Sequence, residues 1–221
     1  MRVGVLAASL GLALPAGADI ASRELQNRLE LQALMQTINA EILASSSATL
    51  TLEDWCDRLA LADDPTVRVR FVAGSGAPAS AETRRLLEVG PGEPVGHRRV
   101  RLVCGQTVLS EADNWYVPGR LTEAMNHTLG SSETSFGKVI RPLRPARRTI
   151  GFRVLFRPLP VGWEAMPDDL LASRIGAEPP LSYDPARPLF EHRALVRGGD
   201  GRPLALVRET YRMALIAAGF D

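Results

Sequence analysis

Residues 95–121 read VGHRRVRLVCGQTVLSEADNWYVPGRL, two β-rich runs that meet at Gly105-Gln106. Two such runs joined by so tight a connection predict a β-hairpin. Side chains alternate along a strand, so Gly96, Arg98, Val100, Leu102 and Cys104 share one face. His97, Arg99, Arg101 and Val103 share the other. The first face is apolar except for Arg98. A guanidinium stays charged at ordinary pH, so on a buried face it needs an anionic partner. That partner is either a carboxylate of the protein or a carboxylate of a ligand.

Outward from the hairpin, the chain alternates between helical and strand patterns. Leu25, Leu29, Leu31, Met35, Ile38 and Ile42 recur at three- and four-residue spacings, which predicts a helix from Ser22 to about Leu43, capped by Ser22 with Glu24. A second helix is expected from Thr51, with Glu53 and Asp54 in its first turn, ending at Asp63-Asp64-Pro65. The run VRVRFVA, 67–73, predicts the first strand, and a short helix is expected over 81–88. After the hairpin, residues 119–129 read as a helix and SETSFGKVIRPL as a glycine-containing turn between apolar residues. A strand is predicted over 147–156, with Arg148, Ile150, Phe152, Val154 and Phe156 on one face. Residues 158–188, rich in Pro, Asp and Ala, form a long connection with one short helix expected near Pro167 to Ser173, of the kind that serves as a lid or is disordered. A last hairpin pairs 190–196 with 204–213 around Gly198-Gly199-Asp200-Gly201. The expected class is therefore α+β, with an antiparallel sheet of about six strands.

Composition narrows the function. With 221 residues, 45% of them hydrophobic, one domain with a substantial core is expected. A formal charge of +1 gives no reason to expect nucleic acid, and the basic run 141–157 lacks the spaced aromatics that stack bases, so a solvated strand face is expected there. Three scattered histidines and two scattered cysteines lack ligand spacing, so no metal is expected. Gly74-Ser75-Gly76 lacks the Lys-Ser/Thr ending of a phosphate loop, and no GxSxG elbow is present. Cys56 and Cys104 are either a disulfide, in an exported protein, or two buried small hydrophobes.

The first residues follow the pattern of a secretory signal: Met1-Arg2, an apolar run from Val3 to Leu14, then Pro15 and Ala16-Gly17-Ala18 before Asp19. The expected layout is a signal peptide at 1–18 and one domain at 19–221, periplasmic or secreted if that signal is real and cytoplasmic otherwise. The run is too short for a transmembrane span, and no later stretch is long and apolar enough for one.

Two further polar residues stand on apolar faces. In the last strand Glu209 shares a face with Ala205, Val207, Tyr211 and Met213, and Arg148 stands out in the strand at 147–156. Either Glu209 pairs with an arginine, or these groups line a ligand cavity in which arginine holds a carboxylate and Glu209 handles a proton or hydroxyl. His192, among Phe190, Ala194 and Val196, reads as a core histidine. His97 and His127 read as surface residues.

RRVRLVCG, SEADNWYVP, ETSFGKVIRPL and RPLALVRETY, in that order, resemble the chorismate lyase family and its ligand-binding relatives, the UTRA domains of bacterial transcription regulators. The likeness runs from about Leu52 to Met213. It implies a six-stranded antiparallel sheet with helices on one side and an internal cavity closed by flaps. In the enzyme, chorismate is split into 4-hydroxybenzoate and pyruvate without a cofactor, at the start of ubiquinone synthesis. Carried onto this sequence, the family's arginine falls on Arg98 or Arg99, its glutamate on Glu209 and its flap turn on Phe136-Gly137. The arginine after that turn falls on Arg147 or Arg148. Arg98 and Glu209 would then be catalytic, with Arg99, Phe136, Gly137 and Arg148 around the ligand. The alternative from the same resemblance is a non-catalytic module that binds a small aromatic or acidic ligand. The expected partner in both cases is a small aromatic carboxylate.

Overall fold

A computed structural model describes residues 16–72 and 76–217. Residues 1–15, which hold most of the expected signal peptide, lie outside the described residues. The elements are α1 (Ala16–Ala44), α2 (Ala48–Arg58), β1 (Val67–Phe71), α3 (Ala81–Leu86), β2 (Gly96–Cys104) and β3 (Thr107–Tyr116). They continue with α4 (Glu123–Ser131), α5 (Phe136–Ile140), β4 (Ala146–Val154), α6 (Asp168–Gly176), β5 (Pro188–Arg197), β6 (Pro203–Arg212) and α7 (Ala214–Ala217).

The six strands form one antiparallel sheet in the order β1-β2-β3-β6-β5-β4. Both predicted hairpins are present, the first turning at Gly105 with φ +55° and the second through Gly201 with φ +80°, where glycine removes the steric cost of the left-handed region. Helices cover mainly one face. Leu31, Met35, Ile38 and Ile42 of α1 and Leu52, Trp55 and Cys56 of α2 pack on Val67, Val69, Val100, Leu102 and Tyr211. On the other face the short helix α3 delivers Leu87 against Leu195 and Leu206.

Several boundaries differ from the sequence expectation for identifiable reasons. Helix α1 runs upstream past Ser22, so Ser22 is no cap, and Glu24 instead accepts from Arg28 Nε at 2.8 Å and from the Leu181 amide at 2.7 Å. Helix α2 starts at Ala48 because the Ser47 hydroxyl caps it, accepting from the Leu50 amide. It stops at Arg58, short of Asp63, where Ala60 takes φ +48°. The predicted 119–129 helix is a 3-10 turn at Pro118–Arg120 followed by α4, which Thr122 caps.

The long connection is packed down on α1, and the short helix expected near Pro167 to Ser173 is present in it. It carries α6, whose Leu171 and Ile175 pack with Leu159 against Leu25 and Leu29 of α1. Buried Arg28 fastens it, donating from Nη1 to Pro158 O at 2.9 Å and from Nη2 to Pro179 O at 2.7 Å, and pairing with Glu178 at 2.6 Å.

Strand β4 carries the most consequential departure. The β4–β5 register slips between Thr149 and Gly151, leaving Ile150 without a cross-strand partner. A bulge of this kind reverses the alternation beyond it. Arg147 and Thr149 therefore face the helices together with Phe152 and Val154, rather than Arg148 and Ile150.

Cys56 of α2 and Cys104 at the end of β2 are fully buried and bridged, with Cα atoms 6.3 Å apart across 48 residues of sequence. The bridge fastens α2 to the sheet. In the chain-entropy account a loop of that size contributes about 4 kcal/mol by restricting the unfolded chain. A Cys56→Ala, Cys104→Ala double variant is expected to lose 2–4 kcal/mol, roughly the range for native disulfides, in urea unfolding monitored by circular dichroism. Equal midpoints for the oxidised protein and the variant would show that the bridge contributes nothing.

Candidate functional site

Between the helix-covered face of the sheet and a roof built from two loops lies a cavity of about 480 Å³. Its floor is apolar: Val69, Val100, Leu102, Ala112, Val196 and Val207, from five of the six strands. The roof consists of Ser46–Leu50, at the start of α2, and Ser135–Ile140, around α5. Two links hold it down. The Val69 amide on the edge strand donates to Glu133 O at 2.9 Å. Lys138 of α5 pairs with Glu53 of α2 at 2.6 Å, and the same carboxylate oxygen accepts from the Val67 amide at 3.0 Å.

Glu209 lies in the cavity wall, 3% exposed. Its Oε1 accepts from Ser110 Oγ at 2.7 Å and its Oε2 from the Tyr211 hydroxyl at 3.0 Å. Burial pushes its pKa up, and this outweighs the lowering by Ser110, the nearby Arg147 cation and Tyr211. The Tyr211 hydroxyl is pushed well up as well, by burial first and then by the Glu209 charge. Behind them His192, fully buried, bonds through Nε2 to Asn39 Oδ1 at 2.8 Å, as a core histidine should. Its pKa falls to about 4 through burial and, second, through Arg147.

Arg98 is where alternation put it, on the helix side and 4% exposed, whereas Arg99 projects from the other face. No carboxylate stands within ion-pair distance of Arg98 among the described residues, so of the two alternatives for these polar groups a pair of Arg98 with Glu209 does not form. Its Nη2 reaches Thr134 O at 3.5 Å, the guanidinium lies 5.1 Å from the Phe71 ring centre, and Nε and Nη1 have no hydrogen-bond partner. Desolvation lowers its pKa, though a guanidinium remains charged. Arg98 sits under the roof segment, across the strand pair from Asn114, and Asn114 is the one of the two that lines the cavity.

The other expected site residues divide. Phe136 and Gly137 line the cavity from the first turn of α5. Gly137 is not demanded by a close approach there, since a Cβ would meet only Ser47 Oγ, at an ordinary 3.8 Å. Arg99 and Arg148 do not reach the cavity. Arg99 pairs with Glu111 at 3.3 Å on the opposite face. Arg148 is exposed opposite Leu195, because the Ile150 bulge assigns the inward position to Arg147. His97 is a further correction. Its side chain is 2% exposed, Nδ1 accepts from the Gly76 and Ala77 amides, and Nε2 donates to Asp113 at 3.0 Å.

Of the cationic rim, the resemblance offered only Arg147, as the alternative to Arg148; Lys138, Arg141 and Arg144 are what sequence reasoning missed. Lys138, Arg141, Arg144 and Arg147 line one side of the cavity. Arg147 donates from Nη1 to Thr149 Oγ1 at 3.1 Å, and its buried Nη2 has no partner. Arg141, Arg144 and Arg147 have no carboxylate within ion-pair distance among the described residues. The signal was the pair Pro142 and Pro145, which breaks the basic run into a loop that can wrap a cavity mouth. Chemically, the site offers guanidiniums to an anion, an apolar floor to a flat or aliphatic body, and a carboxyl able to hold a proton. No group of three His, Cys, Asp or Glu suited to a metal occurs among the described residues, and no described helix is long and apolar enough to cross a membrane.

The titrations have opposite signs. His192 has a folded pKa near 4, below its unfolded 6.5, so its contribution is intact above 6.5 and is lost as pH falls towards 4. Glu209 has a raised folded pKa, so its carboxyl is least costly to bury below 4.5 and costs progressively more as pH rises through the folded value. Relative to the native chain, Glu209→Gln is expected to gain stability as pH increases from 4.5, whereas His192→Gln gains as pH decreases from 6.5. Urea unfolding between pH 4 and 8 checks both, and a pH-independent difference for either variant would contradict the corresponding burial cost.

No protein-family model matches this sequence. Solved structures that resemble it include the ligand-binding domain of a protein assigned to the GntR family of transcriptional regulators from Bordetella bronchiseptica. That domain is 21% identical, with a TM-score of 0.40 over 66% of this chain and 82% of that one. PhnF from Mycobacterium smegmatis is 17% identical, with a TM-score of 0.48 over 90% of this chain and 86% of that one. In sequence the chain is 44% identical over 186 residues to uncharacterized protein y4mC of Sinorhizobium fredii, covering 84% of this chain and 76% of y4mC. Identity of that extent establishes that the chain belongs to the same family as y4mC.

Proposed function

We propose that this domain is a non-catalytic module that binds a small aromatic carboxylate in the cavity under its sheet. The observation that carries this is Arg147: a guanidinium with a buried, unpartnered Nη2, opening onto an apolar cavity and with no ion-pair partner among the described residues. An unpaired buried donor costs free energy that a bound carboxylate would recover, since charge-assisted hydrogen bonds are the stronger kind. Arg141 and Arg144 at the rim add to the attraction for an anion. The floor of valines and Leu102, with Phe136 in the roof above it, suits an aromatic ring.

A catalytic alternative rests on a different observation. Glu209 faces the same cavity with its pKa raised by burial, so it can hold or move a proton beside a carboxylate bound at Arg147. Elimination of pyruvate from chorismate, leaving 4-hydroxybenzoate, is the reaction that the likeness to chorismate lyase would assign to it. Arg98, under the roof, would then steady the flap beside Thr134.

Calorimetry with 4-hydroxybenzoate tests the module. Binding is expected in the native chain, weakened about tenfold or more in Arg147→Ala, the loss of one charge-assisted contact, and unchanged in Arg148→Ala. Equal affinity in Arg147→Ala and the native chain would overturn the assignment. Incubation with chorismate separates the two functions: formation of 4-hydroxybenzoate and pyruvate, abolished in folded Glu209→Gln, would replace the module by an enzyme.

An exported location is part of the same proposal. The apolar run at 3–14 and the bridged Cys56–Cys104 pair both suit an oxidising compartment. Protein recovered from a periplasmic extract is expected to begin at Asp19, and an intact Met1 there would contradict cleavage.

A further inference from the structure

A second cavity, of about 270 Å³, lies outside the site described above, between α1, the β4–β5 end of the sheet and the segment 157–164. Its walls combine two kinds of group. Phe152, 46% exposed, and Trp163 supply aromatic surface. Gln32 and Gln36, one turn apart on α1, supply primary amides, and Arg157 and Glu164 stand at the rim. None of these four polar side chains, nor the Trp163 indole, makes a hydrogen bond within the described chain.

Nearby polar groups are treated quite differently. Arg28, on the same helix and holding the same long connection, places hydrogen bonds on two carbonyls and two carboxylates. The connection is thus pinned by an arginine with four hydrogen bonds, while Gln32, Gln36, Arg157 and Glu164 around the second cavity are left open; Asn39, the other polar side chain of the lining, is held by His192. These open groups are also balanced: one cation, one anion and two neutral amides, which does not select for a charged ligand. Amides donate and accept at once, the requirement for hydroxyl groups that do both. An aromatic face carries negative charge and attracts the weakly positive C–H groups of a saturated ring. The volume falls just under the range of roughly 300–1,000 Å³ for drug-sized ligands, which suits a one-ring molecule.

From these observations we propose that the second cavity is a binding site for a neutral carbohydrate of one sugar ring. The C–H face of the sugar rests on Phe152 and Trp163, and its hydroxyls bond to Gln32, Gln36, Arg157 and Glu164. This site is independent of the carboxylate cavity and would stand if that one proved empty.

Saturation-transfer NMR on the full chain tests it, with methyl β-D-glucopyranoside, methyl α-D-mannopyranoside and N-acetyl-D-glucosamine as separate probes. At least one is expected to receive saturation from the protein, with affinity falling about fivefold or more in Gln36→Ala, for the one neutral hydrogen bond removed, and in Trp163→Ala. Gln36 is exposed, so its variant should fold normally, and circular dichroism of both variants checks that the fold is intact. No transfer to any of the three sugars would overturn the proposal. Transfer that persists undiminished in both variants would overturn it equally, by placing the sugar elsewhere.

Discussion

Charge held on an apolar sheet face without an ion-pair partner is the constraint on which this structure turns. Arg98, Arg147 and Glu209 all stand on the apolar face of one sheet, and none forms an ion pair with another. Unpaired burial of this kind is costly, and ordinary folds avoid it by pairing the charges or moving them out. Here each charge has partial relief of a different sort. Glu209 takes two hydroxyl donors, Arg147 one hydroxyl acceptor, and Arg98 a distant carbonyl and a ring face. The relief is enough to hold the side chains in place and too little to saturate them, which is the state expected of groups kept for a ligand.

The two faces of the sheet show how particular that state is. On the opposite face Glu111 meets Arg99, Arg101 and Arg212, at 3.3, 2.9 and 3.1 Å. Asp113 meets His97 and Arg208, at 3.0 and 2.7 Å. There Glu111 is shared among three arginines and Asp113 between an arginine and an imidazole, and with the arginines half in solvent each pair contributes little, about 0–1 kcal/mol. The same strands, β2, β3 and β6, therefore carry a saturated network on one side and an unsaturated set on the other. Sequence composition gives both faces many arginines. What differs is the carboxylate supply: two acids, Glu111 and Asp113, meet four arginines on one face, whereas on the other Glu209 is bonded to hydroxyls and reaches neither arginine.

Alternation made the first part of this legible. Strands β2 and β6 are regular across the rows that hold Arg98 and Glu209, so counting by twos placed both side chains correctly. It failed in β4, where one bulged residue, Ile150, exchanged Arg147 for Arg148, and nothing in ARRTIGFRV announces a bulge except its glycine. The roof was unreadable for another reason. Residues 132–145 belong to short helices and turns whose position depends on contacts with Glu53 and Val69, far away in sequence. His97 was misplaced because a residue on a polar face was assumed to meet water, whereas the turn at Gly76 and Ala77 folds over it. Local pattern fixes which way a strand residue points. It does not fix what lies in that direction.

The two cavities are also physically joined, through residues that neither sequence pattern nor either site alone would have linked. Asn39 lines the second cavity and bonds to His192 Nε2. The His192 ring packs edge-on against Tyr211, with centroids 5.3 Å apart, and the Tyr211 hydroxyl donates to Glu209 in the first cavity. Burial favours the neutral imidazole in this row. A proton on His192 would be a buried charge and, second, a cation near Arg147, and the depressed pKa near 4 reflects that cost. Neutral His192 can thus be packed among Phe152, Phe190 and Tyr211 as an apolar ring that still fixes Asn39. The histidine that sequence marked as merely structural is the element that lets two differently polar cavities share one core without a charge between them.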